Sequence, residues 1–130
     1  MRLMLLLFIA TAGLARAEST EEMLSSCGKL AEAKVQDGQV MVPQDFESGR
    51  CWGAFGVLLN LTRLIKIDET KRLQDDTKRI LGVCSSKENT RTQAIAIFVE
   101  YARRNPSLFH EEFWIVALDA LKAAFPCPSK

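Results

Sequence analysis

The sequence predicts an all-α fold: a small four-helix domain with a short connecting helix, stapled by disulfides. Three observations predict it. Apolar residues recur at helical spacing in four segments of the chain. Two of those segments open on a capping box, Ser19-x-x-Glu22 and Thr90-x-x-Gln93, which satisfies free amides at a helix start. Four cysteines, an even number, follow an N-terminus that reads as an export signal.

That signal is built from Arg2, an apolar run from Leu3 to Leu14, and Ala15-Arg16-Ala17, with small residues at the two positions a signal peptidase inspects. The run is too short for a hydrocarbon core needing about 20 helical residues, and no second hydrophobic segment follows. The prediction is therefore a cleaved signal peptide over 1–17, one helical domain over 18–130, and no stable membrane span after cleavage. Cleavage removes Arg2 and Arg16 and no acid, so 17 basic residues fall to 15 against 16 acidic ones. A mature chain near −1 carries no sign of a nucleic-acid partner, which would appear as a basic patch. A domain of this size is only modestly stable without added constraints.

The first helix is expected over 20–35, with Met23, Cys27, Leu30 and Ala31 on its inner face. Gln36 to Gly49, holding Gly38 and Pro43, reads as a long loop, and long loops in compact domains often carry function. From Arg50 to Lys66 the chain is apolar nearly all round, which places the second helix in the middle of the domain. Gly53 and Gly56 then read as points where another helix backbone crosses closely. Asn60-Leu61-Thr62 matches a glycosylation sequon, but in so buried a helix it is read as chance. Residues 68–82 crowd charges of both signs around Leu73, Ile80 and Leu81, as in a short solvated helix or connection. A third helix follows Thr90, its inner stripe marked by Ala94, Ile97, Phe98, Tyr101 and Ala102. Asn105-Pro106 interrupts it, and Pro106 is expected in the first turn of the fourth. That helix runs through Phe113, Trp114, Ala117, Leu118, Leu121 and Ala124 to Phe125-Pro126-Cys127-Pro128. The short gap makes these two helices an antiparallel pair.

The hairpin brings Cys84, before its first arm, beside Cys127, after its second. The expected bridges are Cys84–Cys127 and Cys27–Cys51, although four cysteines allow three connectivities and the sequence excludes none of them. A metal site is disfavoured: no pair has CxxC spacing, and His110 is the only histidine.

The catalytic inventory is equally thin, and no cofactor is implied. His110 beside Glu111 and Glu112 reads as an exposed first-turn residue rather than a general base. The carboxylate pairs Glu21-Glu22, Asp75-Asp76 and Glu111-Glu112 are sequence neighbours, so a helix turns them about 100° apart. Trp52 and Trp114 fall on apolar stripes and are read as core. The chain is not expected to be an enzyme.

Several of these residues also form a pattern: Cys51-Trp52-Gly53-Ala54-Phe55-Gly56-Val57, then Cys84, Thr90 with Gln93, Phe98-Val99-Glu100-Tyr101 leading to Asn105-Pro106, and Ala117-Leu118 through Phe125-Pro126-Cys127-Pro128. The chain thereby resembles the Rap/Tai family of small periplasmic immunity proteins associated with bacterial type VI secretion. The resemblance implies a helical fold, often a homodimer, that binds a cognate peptidoglycan amidase effector and blocks its cleft. The segments the core leaves unexplained would then be the contact surface: Val40, Met41, Val42, Gln44, Asp45 and Phe46 in the loop, and Arg72, Asp75, Asp76 and Arg79 in the charged segment. A stand-alone envelope chaperone or acid-stress protein, exposing apolar surface on acidification, is the alternative from a different class.

Overall fold

The computed structural model describes residues 17–64, 79–86 and 88–128. Four helices make the domain: α1 (Thr20–Ala31), α2 (Phe46–Thr62), α3 (Arg91–Arg104) and α4 (Phe113–Ala124). Both capping boxes are formed, at α1 by Ser19 with Glu22 and at α3 by Thr90 with Gln93. The core is a cluster from all four helices, with Phe55 of α2, Phe98 of α3 and Phe113 of α4 at its centre, all fully buried. Their ring centroids lie 5.2–5.6 Å apart in tilted and edge-on arrangements, the geometry that ring quadrupoles favour. From α1, Met23, Cys27 and Leu30 close the cluster.

Two long-range connections hold the ends. The Thr20 and Glu21 amides donate to the carbonyls of Glu111 and Phe109, and the Phe113 amide donates to the Glu18 carbonyl. Amides that a helix start leaves without intrahelical partners are thus satisfied at α1 and α4 together. At the other end the Cys84 amide donates to the Phe125 carbonyl, and the Cys84–Cys127 disulfide closes the same corner. The second disulfide, Cys27–Cys51, joins α1 to α2 inside the core.

Five sequence expectations are revised. The first helix stops at Ala31, because Val35–Gln36 (β1) and Gln39–Val40 (β2) pair as a minute antiparallel hairpin. Asp37 and Gly38 make its turn with φ of 52° and 78°, the Asp-Gly signature of a primed hairpin turn. The second helix begins at Phe46 rather than Arg50, since the Asp45 carboxylate accepts from the Ser48 amide as an N-cap. Pro106 opens a single 3₁₀ turn, Pro106–Leu108, and α4 starts only at Phe113. The carbonyls of Phe109 and Glu111 are engaged by α1, so the chain between α3 and α4 is held in an open turn.

The fourth revision concerns α2, which does not lie in the middle. Helices α1 and α3 each pack against every other helix, whereas α2 packs on α1 and α3 and keeps an outward face. Phe46, Val57 and Leu61 on α2, and Leu64 just past its end, are exposed on that face, and Asn60 is exposed with them. The glycines follow: a Cβ on Gly53 would meet nothing within 4 Å, and one on Gly56 would meet the Arg91 guanidinium, not a helix backbone. Fifth, neither tryptophan is fully buried, although Trp52 packs against the core cluster. Trp52 is half-buried and Trp114 is 39% exposed.

Gly53 therefore costs helix propensity with no packing reason among the described residues. Gly53→Ala is expected to raise stability by about 0.5–1 kcal/mol, read as a thermal midpoint several degrees higher. A lower midpoint would show that something within the fold needs the missing Cβ.

Candidate partner-binding surface

The residues of the expected loop surface do not behave alike. Met41 and Phe46 stand out, 58% and 78% exposed. Val40 and Val42 are half-buried, and Val42 packs against the core. Gln44 is exposed, its amide donating to the Val42 carbonyl. Asp45 is committed to capping, accepting from both the amide and the hydroxyl of Ser48. That backbone hydrogen bond holds its carboxyl below the usual carboxylate range. The cap is therefore complete above the ordinary aspartate range, about pH 4, and is lost as acid protonates the group through its lowered native value.

Of the charged segment, Arg72, Asp75 and Asp76 lie outside the described residues. Arg79 is half-buried and donates from Nη1 to the Arg63 carbonyl at 2.6 Å. His110, Glu111 and Glu112 are exposed. Among the described residues no group of three His, Cys, Asp or Glu side chains is placed to hold a metal, and no helix is long and apolar enough to cross a membrane.

What the fold does assemble is a continuous outward apolar row. Phe46 and Gly53 are seven residues apart, Gly53 and Val57 four, Val57 and Leu61 four; such spacings fall on one side of a helix. Gly49, one turn before Gly53, is also exposed with nothing near its absent Cβ. Ile80 continues the row past the helix end: it is 49% exposed, and its amide donates to the Leu64 carbonyl at 3.0 Å. The row from Phe46 to Leu61 spans roughly 22 Å at 1.5 Å per residue. Exposed apolar side chains at both ends of the row, with bare glycines between them, are the kind of surface that interaction sites use.

Two arginines flank the helix, and sequence reasoning had singled out neither. Arg50, on α2, pairs through both terminal nitrogens, Nη1 donating to Glu18 at 3.0 Å and Nη2 to the Ser26 hydroxyl and the Glu47 carboxylate. Arg91, the first residue of α3, instead lays its guanidinium over the Trp52 ring, 4.5 Å from the centroid. Gly56 makes room for it: a Cβ there would stand 3.0 Å from Arg91 Cζ. The only clue in the sequence was an aromatic residue and a glycine one turn apart. A groove also lies between α3 and α4, lined by Ile97, Tyr101 and Ala120 and by the ion-paired Glu100 and Arg104.

No curated protein and no solved structure matches the chain. The model of the family described as Rap1a immunity proteins matches residues 19–127, from the cap of α1 to the last cysteine. Those limits coincide with the folded domain, its two disulfides and its outward α2 face, and the chain belongs to the Rap1a immunity protein family.

Proposed function

We propose that this immunity protein is exported, loses residues 1–17, and acts in the periplasm as a single domain that binds and inhibits a peptidoglycan amidase effector of type VI secretion. Family membership over residues 19–127 carries the reading. Two disulfides suit an oxidising compartment. Glu18, first residue after the proposed cut, is tied into the domain through Arg50 and through the Phe113 amide. An inhibitor of this kind needs no catalytic group of its own; it needs a rigid frame and exposed anchors. Met41 and Phe46 supply such anchors beside α2. Self-association, which the resemblance also implies, would draw on the same exposed apolar residues and is read by sedimentation of the oxidised protein.

The test is peptidoglycan hydrolysis by a purified amidase effector titrated with the oxidised mature chain. Inhibition complete at a stoichiometric ratio is expected; hydrolysis undiminished by excess chain across a panel of such effectors would end the proposal. Within that assay Phe46→Ala is expected to weaken inhibition about 10-fold or more, as for a buried aromatic anchor. The same change should leave the thermal midpoint nearly unmoved, since an exposed side chain contributes within about 0.5 kcal/mol. Unaltered inhibition would remove Phe46 from the contact.

A further inference from the structure

Arg91 is seated on Trp52 with no carboxylate beside it among the described residues. Arg50, Arg103 and Arg104 face the carboxylates of Glu18, Glu32 and Glu100, whereas the five N–H donors of Arg91 meet no acceptor among the described residues. Its position is nonetheless fixed, with the guanidinium over Trp52 and against the bare backbone of Gly56. Stacking uses the face of a guanidinium and leaves its in-plane N–H edge free. That edge is the fork that matches a carboxylate with two parallel hydrogen bonds. The N-terminal partial charge of α3, where Arg91 sits, has the same sign and favours an anion in the same place.

The setting says which anion. Trp52 and Gly56 form a row of α2 directly beside the exposed row of Gly49, Gly53 and Val57, so Arg91 borders the apolar face. Gly49 and Gly53 carry no side chain, and no described residue lies within 4 Å of where one would stand; another backbone can approach closely there. A face with an aromatic anchor at one end, a bare floor, and at its margin a pinned arginine that has no partner among the described residues has the composition of an interface centre, where Arg and aromatic residues dominate binding. Because Arg91 is already held, little side-chain freedom remains to be lost when a partner arrives.

The geometry points to the outward face of α2 as the docking site for the amidase effector, with an aspartate or glutamate side chain of that effector seated on Arg91. This inference rests on the immunity reading above and names its surface and the charge of its partner.

Calorimetric titration tests it, using the oxidised mature chain and a catalytically silenced amidase effector of the type VI class that the wild-type chain inhibits. Arg91→Ala is expected to weaken binding about 30-fold or more and to flatten the dependence of affinity on salt. Gly56→Ala keeps the charge and favours the helix, but its new Cβ displaces the guanidinium; a loss of about 3- to 10-fold is expected, with the melting curve retained. Ile115→Ala, on the exposed side of α4, should bind as wild type. Wild-type affinity in both Arg91→Ala and Gly56→Ala would overturn the docking site while leaving the immunity reading in place. No amidase inhibited by the wild-type chain would overturn both. Effector affinity unchanged in Arg91→Ala, with self-association altered in sedimentation, would assign the face to a second copy and overturn the inference.

Discussion

Phe98→Ala is expected to destabilise the domain by about 3–5 kcal/mol, a large part of what a domain of this size possesses. Phe98 is fully buried and meets both other rings of the central cluster, Phe55 at 5.6 Å and Phe113 at 5.2 Å between centroids. Those rings come from α2 and α4, so the substitution opens a cavity where three helices converge. Neighbouring helices tethered by disulfides cannot collapse freely into it, which keeps the cost towards the upper end. Urea unfolding followed by circular dichroism measures the effect. A loss below about 1 kcal/mol would mean that the rings repack and that the cluster does not organise the fold. Phe46→Ala supplies the contrast, an equal change in chemistry at a side chain that is 78% exposed.

The contrast between those two phenylalanines marks what can be read from sequence. Helix starts at Ser19 and Thr90 were legible because a capping box is local: four consecutive residues carry both its donors and its acceptors. Phe98 was legible as an inner residue because polar residues mark the other sides of its helix. In α2 no such contrast exists; apolar residues all round cannot say which face goes inward, and the rule that such a helix is central gave the wrong answer. The face left outside is the one where Gly49 and Gly53 stand. The hairpin at Asp37-Gly38 escaped notice because two-residue strands are too short to show alternation, although the turn pair itself was a readable signal. Pro106 is acceptable in the first turn of either an α-helix or a 3₁₀ turn. What decides between them is the hydrogen bonding of Phe109 and Glu111 to residues some ninety positions earlier. The seat of Arg91 on Trp52 is of the same kind, since it depends on how α3 crosses α2 and on nothing within either helix.

Loss of the Cys84–Cys127 bridge is the second large effect expected, and it should exceed loss of Cys27–Cys51. Loop closure in the unfolded chain gives about 4 kcal/mol for the first, with a separation of 43 residues, and about 3.5 kcal/mol for the second, with 24. The difference in context adds to this. Cys27 and Cys51 sit on two helices that pack together along their length, so the pair stays close when the bond is gone. Cys84 lies in no helix: Val83 beside it is buried, its amide donates to the Phe125 carbonyl, and the bridge closes the corner. Cys84→Ala with Cys127→Ala should therefore lower the urea midpoint more than Cys27→Ala with Cys51→Ala, and the reverse order would show that helix packing does not hold α1 to α2. Together the two bridges account for about 7 kcal/mol, comparable to the whole stability of a small domain. The reduced chain should then be largely unfolded at 37 °C and the oxidised one folded. A mature chain retained in a reducing cytoplasm would be degraded or inactive, and would gain protective activity only when directed to an oxidising compartment. If the reduced chain melts within a few degrees of the oxidised one, the core suffices by itself and this dependence on compartment disappears.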